Sequence, residues 1–137
     1  MLCFALYKAE QAFNRVYRAA LEPLGLTYPQ FLVMRLLWKD GRLSVGQVGE
    51  RLGLDTGTVT PLLKRLSAMG MVVRERRLDD ERRVDIALTE KGRALEAKSG
   101  AVMECVAHAV GVDEIDALNL LNDINRLSAN LNKAVKV

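Results

Sequence analysis

The chain begins with apolar and polar positions in a helical period. Apolar side chains recur at spacings of three and four, which predicts an amphipathic helix from Leu2 to about Leu21. Pro23 and Gly25 follow directly and end that helix. The next segment, Thr27-Tyr28-Pro29-Gln30, is a capping-box pattern with proline in the first turn, so we expect a second helix that closes near Gly41.

Two shorter helical patterns come next. Ser44-Val45-Gly46-Gln47 is another capping box and opens a short helix. A tight turn at Gly53-Leu54 follows, and Asp55 is placed to cap a further helix. The apolar face of that helix consists of Val59, Leu62, Leu63 and Leu66. Two helices joined by a glycine-containing turn predict a helix-turn-helix.

After Gly70 the period changes from helical to alternating. Val84, Ile86 and Leu88 alternate with Arg83, Asp85 and Ala87, which predicts a half-buried strand. Residues 71–76 are a plausible antiparallel partner, and the arginine-rich residues 77–83 then form the tip of the hairpin. Beyond the hairpin, Thr89 is expected to cap one long helix to about Val110, and Asp113 to cap another. The second of these helices has an apolar stripe formed by Ile115, Leu118, Leu121, Ile124, Leu127 and Leu131.

This order of elements predicts a mainly α fold with a small β-hairpin. We expect a winged helix-turn-helix domain at residues 27–89, with dimerisation helices at residues 1–26 and 90–137 of a single 137-residue subunit. The first and last helices are more apolar than one small domain needs, which predicts a homodimer.

Composition narrows the class of protein. The net charge is only +3, with a sequence pI near 9.0, so charge alone does not argue for nucleic acid. No apolar run is long enough to span a membrane, and Lys8 and Glu10 interrupt the apolar start, unlike in a signal peptide. Two cysteines do not make a disulfide scaffold. We therefore expect a cytoplasmic protein with reduced thiols and no membrane partner.

The predicted winged helix suits duplex DNA. The second helix of such a pair enters the major groove and presents its N-terminal residues to base edges. Those residues are Thr56, Thr58 and Thr60, with Lys64 and Arg65 further along to reach phosphates. The hairpin tip could enter the adjacent minor groove. The alternative is a winged helix that binds protein, with the threonines as cap and surface residues.

A thiol at the start of the first helix is the candidate for chemistry. A free cysteine is usually inert packing, but one at a helix start with phenols nearby can be an activated thiolate, and Tyr17 and Tyr28 supply phenols. Cys3 and Tyr17 are 14 positions apart (17 − 3), or about 21 Å along a straight helix, so they can meet only across two subunits. Tyr28 is not restricted in this way. Tyr7 shares the helix face of Cys3 and is expected only to pack.

Several motifs resemble one family of repressors. Residues 54–66 resemble the recognition helix of MarR-type repressors. Asp80-Glu81-Arg82-Arg83, followed by Leu88-Thr89-Glu90-Lys91-Gly92, resembles their wing and the next helix. Leu2-Cys3-Phe4-Ala5-Leu6-Tyr7 and Gly25-Leu26-Thr27-Tyr28-Pro29-Gln30 are similar to the organic-hydroperoxide-sensing (OhrR-like) branch. The resemblance covers essentially the whole chain, although family members usually carry a longer arm before the position of Cys3.

The resemblance implies a dimeric repressor that releases a pseudo-palindromic operator in double-stranded DNA when an organic hydroperoxide oxidises Cys3. It implies that Tyr17 and Tyr28 hydrogen-bond the Cys3 thiolate and that Asp80 and Arg82 form a pair in the wing. A two-cysteine subclass of this family has its second thiol in the late helix, which implies that Cys105 is the resolving thiol. The expected DNA-binding residues are then Thr56, Thr58, Thr60, Lys64, Arg65, Arg77, Asp80, Arg82 and Arg83.

Other interpretations stay open. Cys105 lies among Ala101, Val102, Val106 and Ala109 and could be a small core residue. A MarR-type repressor released by a small aromatic or phenolic ligand is the main alternative function. A thiol peroxidase fits less well, because a recognition helix and wing serve no purpose in an enzyme. No cofactor is expected, and no metal site, since the only histidine, His108, is near Cys105 without further ligands at normal spacing.

Overall fold

The computed structural model describes residues 1–135 and is mostly helical. The helices are α1 (Leu2–Leu21), α2 (Tyr28–Asp40), α3 (Val45–Leu52), α4 (Thr56–Ala68), α5 (Glu90–Ala94), α6 (Ser99–Val110) and α7 (Glu114–Val135). The strands are β1 (Arg42–Ser44), β2 (Val72–Arg76) and β3 (Val84–Leu88), and 3₁₀ turns occupy Glu22–Leu24 and Leu95–Lys98. The predicted mainly α winged helix-turn-helix fold is confirmed.

The predicted capping boxes are both formed. The Thr27 hydroxyl accepts the Gln30 N–H at 3.4 Å, and the Gln30 side chain accepts the Thr27 N–H at 3.0 Å. The equivalent pair of Ser44 and Gln47 has distances of 3.1 and 2.9 Å. These bonds satisfy amide donors that would otherwise lack a partner at the helix start. The predicted single caps are also present, at Asp55, Thr89 and Asp113.

The sheet has one strand more than the sequence predicted. The order is β1-β3-β2 and both pairings are antiparallel. Strand β1 is too short to show an alternating period, and only its pairing with β3 reveals it. Asp85 was expected on the polar face of β3 but is buried, because β3 is the central strand and Ser44 and Glu75 flank Asp85 on either side.

The long helix predicted between Thr89 and Val110 is wrong in one respect. It is interrupted by the 3₁₀ turn at Leu95–Lys98, which separates α5 from α6. Ser99 and Gly100 follow the turn, and the Ser99 hydroxyl donates to the Glu96 carbonyl at 2.7 Å. A Ser-Gly pair with a competing side-chain bond is a common cause of a helix break.

The described residues form two compact units, Met1–Val106 and a second unit that begins at Ala107. The first contains the core, whose largest fully buried side chains include Phe31, Met34, Leu37, Leu63, Leu66 and Ile86. In the second unit, no residue of α7 is buried over Glu114–Val135. Over residues 1–135, no helix combines the length and apolar character needed to cross a membrane. The division at 27–89 and its flanking dimerisation segments stays a prediction.

Candidate nucleic-acid interface and thiol sites

Helices α3 and α4 form the predicted helix-turn-helix. Gly49 is needed for their close approach, because a Cβ there would lie 2.9 Å from the Leu54 carbonyl oxygen and 3.4 Å from a Val59 methyl. The inner face of α4 is buried through Val59, Leu63 and Leu66. The outer face carries the predicted DNA-contacting residues: Thr56, Thr58, Lys64 and Arg65 are exposed and Thr60 is half-buried. Helix α4 therefore presents a polar, cationic face that starts at its N-terminus.

Residues 77–83 form the wing tip, which is closed by its own hydrogen bonds. The Arg77 N–H donates to the Arg83 carbonyl and the Arg83 N–H donates to the Asp80 carbonyl, each at 3.0 Å. The Asp80 carboxylate accepts the backbone N–H of Arg82 at 3.0 Å. The Arg77 guanidinium pairs with both carboxylate oxygens of Asp79 at 3.1 Å. Within the subunit, Asp80 thus contacts the Arg82 backbone, and the Arg82 and Arg83 side chains are exposed.

A cleft of about 630 Å³ joins the wing to the helix-turn-helix. Its lining includes Ser44 and Gln47 from the start of α3, Thr56 from the start of α4, and the side of the wing that carries Arg74, Arg82 and Arg83. Ser44, Gln47 and Arg74 were not among the predicted DNA-binding residues. In sequence, the capping box and the strand arginine are explained by their structural roles. Only the packing of α3 against β3, together with the pairing of β2 with β3, brings them to this cleft.

Tyr17 and Tyr28 form an aromatic pair where α1 packs on α2. Their ring centroids are 4.2 Å apart, and Tyr17 is buried while Tyr28 is half-buried. Burial raises the pKa of both phenols; Tyr28 adds to the rise at Tyr17, and Arg35 opposes it at both. Both phenols therefore keep their protons at neutral pH and can donate hydrogen bonds to an anion.

The Cys3 thiol lies at the other end of α1. The helix is continuous from Leu2 to Leu21, so the separation of about 21 Å holds and Tyr17 cannot reach Cys3 of its own chain. Cys3 is exposed, and so are its apolar neighbours Leu2, Phe4 and Tyr7, at 59–64% of their full accessible area. An exposed apolar helix start of this kind is typical of a surface that is covered by a partner.

Cys105 lies on the exposed side of α6. Val102 and Val106 of the same helix are buried, whereas the Cys105 thiol is free and exposed. The exposure does not fit the interpretation of Cys105 as a small core residue. In the part of the chain that the structure describes, no three His, Cys, Asp or Glu side chains lie together in a way that could hold a metal ion.

Comparison with known proteins gives consistent matches. The family model for the transcriptional regulator SarA/Rot matches residues 15–98. The organic hydroperoxide resistance transcriptional regulator of Bacillus subtilis is 45% identical over 98 residues, which cover 72% of this chain and 67% of that protein. The regulator TtmR of Methylorubrum extorquens is 54% identical over 110 residues, or 80% of this chain, but the chain spans only about half (54%) of its length.

Solved structures agree with the sequence matches. AbfR of Staphylococcus epidermidis, in its reduced form bound to DNA, superposes with a TM-score of 0.80 at 31% identity, covering 95% of this chain and 91% of AbfR. The disulfide-formed AbfR superposes with a lower TM-score of 0.66, at 31% identity over 99% of this chain and 90% of AbfR. Overoxidised AbfR bound to DNA, also at 31% identity, superposes with a TM-score of 0.79, so this chain has the fold of AbfR.

Proposed function

Because the chain belongs to the SarA/Rot family of MarR-type winged-helix transcriptional regulators, we propose that it is a homodimeric repressor that senses organic hydroperoxides through Cys3. The observation that carries the proposal is the separation of two complementary parts along α1. An exposed thiol lies at its start, and Tyr17, whose ring packs against that of Tyr28, lies about 21 Å along the helix, too far to serve that thiol within one subunit. The two parts complete each other only between subunits.

The proposed dimer places α1 of one subunit antiparallel to α1 of its partner. Cys3 then lies beside Tyr17 and Tyr28 of the other subunit. Their O–H groups donate to the thiolate and favour its formation over the thiol. The exposed apolar side chains Leu2 and Phe4 support this arrangement, because pairing would remove them from water.

The proposed chemistry is a two-electron oxidation of sulfur. The Cys3 thiolate attacks the terminal oxygen of the hydroperoxide; an S–O bond forms, the O–O bond breaks, and the alkoxide takes a proton and leaves as the alcohol. The product is a sulfenic acid. The Cys105 thiolate then attacks this sulfur, an S–S bond forms, and the hydroxide leaves with a proton as water. Such a disulfide needs the two Cα atoms within about 7 Å, so helices that hold them farther apart must move.

The proposed partner of the reduced protein is double-stranded DNA. Helix α4 enters the major groove with Thr56 and Thr58 at base edges, while Arg65 contacts phosphate. The wing reaches the adjacent minor groove through Arg82. Two subunits related by a two-fold axis read two half-sites about one DNA turn apart, which requires a pseudo-palindromic operator. The structure of reduced AbfR on DNA supports this assignment.

Non-reducing electrophoresis tests the redox step. Wild type, Cys3→Ser and Cys105→Ser are compared before and after stoichiometric cumene hydroperoxide, with dithiothreitol as the reversal. We expect a disulfide-linked species in the wild type that dithiothreitol removes and that neither variant forms. A Cys3→Ser protein that still forms it would contradict the role of Cys3. A Cys105→Ser protein that still forms it would contradict only the role of Cys105.

A second candidate function has one observation in its favour. A cavity of about 340 Å³ lies beside Tyr28, and its lining also includes Asn14, Arg18 and Thr27. It could hold a small aromatic ligand that releases DNA without oxidation. Dithiothreitol separates the two, because it would reverse a redox release and leave a ligand-driven release unchanged. The expected cytoplasmic location stays a prediction.

A further inference from the structure

Leu78 is an apolar side chain presented to solvent at the wing tip. Its relative accessibility is 104%, the highest of the large hydrophobic residues described. It is the one apolar residue of the tip, which otherwise consists of Arg77, Asp79, Asp80, Glu81, Arg82 and Arg83. A fully exposed leucine at the end of a hairpin has no role in the packing of its own subunit.

The tip holds Leu78 in position. Arg77 and Asp79, the residues on either side of Leu78, are joined by a bidentate ion pair at 3.1 Å. This pair holds the two residues that flank Leu78 close together. The bond from Arg77 to the Arg83 carbonyl closes the loop behind it. Part of the entropy cost of fixing the backbone around Leu78 for binding is therefore met before any partner arrives.

The charges around Leu78 restrict its partner. The tip has three arginines and three acidic residues, a net charge of 3 − 3 = 0, so net charge alone does not draw it to a polyanion. If the tip packed against an apolar protein surface, its six charged side chains would lose water so that one leucine could be buried, which is costly. A surface that is apolar at its centre and ionic at its edges fits better. The deoxyribose wall of a DNA groove, with phosphates along its rim, is such a surface.

The position of the tip selects the minor groove. Arg82 and Arg83 line the same cleft as Thr56 at the N-terminus of α4. When α4 lies in the major groove, the tip is then next to the recognition helix and meets the adjacent minor groove, where apolar side chains as well as arginines are used for contact.

We infer that Leu78 packs against the deoxyribose wall of the minor groove beside Arg82 and adds an apolar contact to operator binding. This inference rests on the proposed binding of duplex DNA. The contact carries no charge, so it increases affinity without releasing counterions from the DNA.

Leu78→Ser, Leu78→Met and Arg83→Gln test it, with a duplex selected by the wild-type protein from a random-sequence library. Fluorescence anisotropy is measured over a series of salt concentrations. We expect Leu78→Ser to weaken binding about three- to tenfold, as for partial burial of a leucine, with an unchanged salt slope. Leu78→Met should bind like the wild type. Arg83→Gln should reduce the salt slope by about one.

The outcomes are distinct. Leu78→Ser binding as tightly as the wild type would overturn the inference and leave the proposed function intact. A loss in Leu78→Ser accompanied by a changed salt slope, or an equal loss in Leu78→Met, would also overturn it. Selection of no duplex by the wild-type protein would refute the proposed function and the inference together. Failure to fold is not a concern, because the leucine packs against nothing in its subunit.

Discussion

At the scale of single residues, Tyr17 and Tyr28 show how burial sets chemistry. Packing against each other and against α2 removes water from both hydroxyl groups, and their pKa values rise as a result. A phenol that holds its proton is a donor, which is what a thiolate needs. In the proposed dimer, the burial that raises the pKa of the phenols would also keep them protonated to donate to the Cys3 thiolate of the other subunit.

The raised pKa values predict a dependence of stability on alkaline pH. The folded state holds the phenolic protons more tightly than the unfolded state, so this contribution to stability is complete below pH 10.0 and is lost as pH rises through the higher folded-state values. We expect the free energy of unfolding, measured by urea titration at increasing pH, to fall less steeply above that pH in a Tyr17→Phe/Tyr28→Phe double variant. An equal slope in both proteins would contradict the pKa shifts.

Gly92 is a second residue whose local contacts make a prediction. A Cβ there would overlap the Met71 carbonyl oxygen and lie 3.3 Å from a Leu88 methyl, and the Gly92 carbonyl accepts the Trp38 indole N–H at 2.9 Å. Gly92→Ala should lower the free energy of unfolding by about 3 kcal/mol. Gly100→Ala is the matched control, because its Cβ would meet no atom within 4 Å, and it should raise stability by up to about 1 kcal/mol. Equal urea midpoints would refute this contact.

The role of Cys105 shows what single residues do not reveal in sequence. Its neighbours on the helix are small and apolar, which suits a core position as well as a reactive one. Only the placement of α6 shows that Val102 and Val106 face inward and the thiol outward. A helical period specifies relative directions around an axis, but not which direction is the interior.

At the scale of elements, local signals were predictable and non-local ones were not. Each of the capping boxes at Thr27 and Ser44 is specified by four consecutive residues, and both form as predicted. Strand β1 pairs with residues about 40 positions away in sequence, and the same pairing contributes to the burial of Asp85. No local pattern in the sequence predicts either feature. The sequence does not predict the break before Ser99, because the segment between Ala94 and Ser99 contains no proline and no pattern that marks a helix end.

The cap of α4 predicts separate effects on folding and DNA binding. The Asp55 carboxylate accepts the Thr58 N–H at 2.8 Å, at the end of the helix that faces DNA in the proposed complex. Asp55→Ala should lower the free energy of unfolding by about 1 kcal/mol. Asp55→Asn keeps an acceptor and removes a negative charge, so its stability should change by less than about 0.5 kcal/mol and it should bind duplex DNA more tightly at low salt. Weaker binding by Asp55→Asn would refute this.

At the scale of the whole molecule, the largest unpaired apolar surfaces lie on α1 and α7. Helix α7 exposes Ile115, Leu118, Leu120, Leu121, Ile124 and Leu131. The sequence predicts such a stripe on α7, and these side chains are exposed in the subunit. The proposed dimer would remove them from water.

The dimer is tested on α7 with one charge placed on either side of the helix. Leu121 is 53% exposed within the apolar stripe, and Arg126 lies on the opposite face, with no residue of the stripe three or four positions away. Leu121→Glu should shift the protein toward monomer in analytical ultracentrifugation and weaken its binding to a two-half-site duplex at least tenfold. Arg126→Glu should remain a dimer. A dimeric Leu121→Glu protein would exclude this stripe as the interface.

The proposed redox switch is tested most directly by whether oxidation of one thiol releases DNA. Fluorescence anisotropy of a labelled duplex, selected by the reduced wild-type protein, is followed during titration with cumene hydroperoxide and then with dithiothreitol. We predict that the wild-type complex dissociates at about one equivalent of hydroperoxide per subunit and re-forms with dithiothreitol, while the Cys3→Ser complex stays bound throughout. A wild-type complex that survives oxidation, or a Cys3→Ser complex that dissociates equally, would contradict the proposed sensing of hydroperoxide through Cys3.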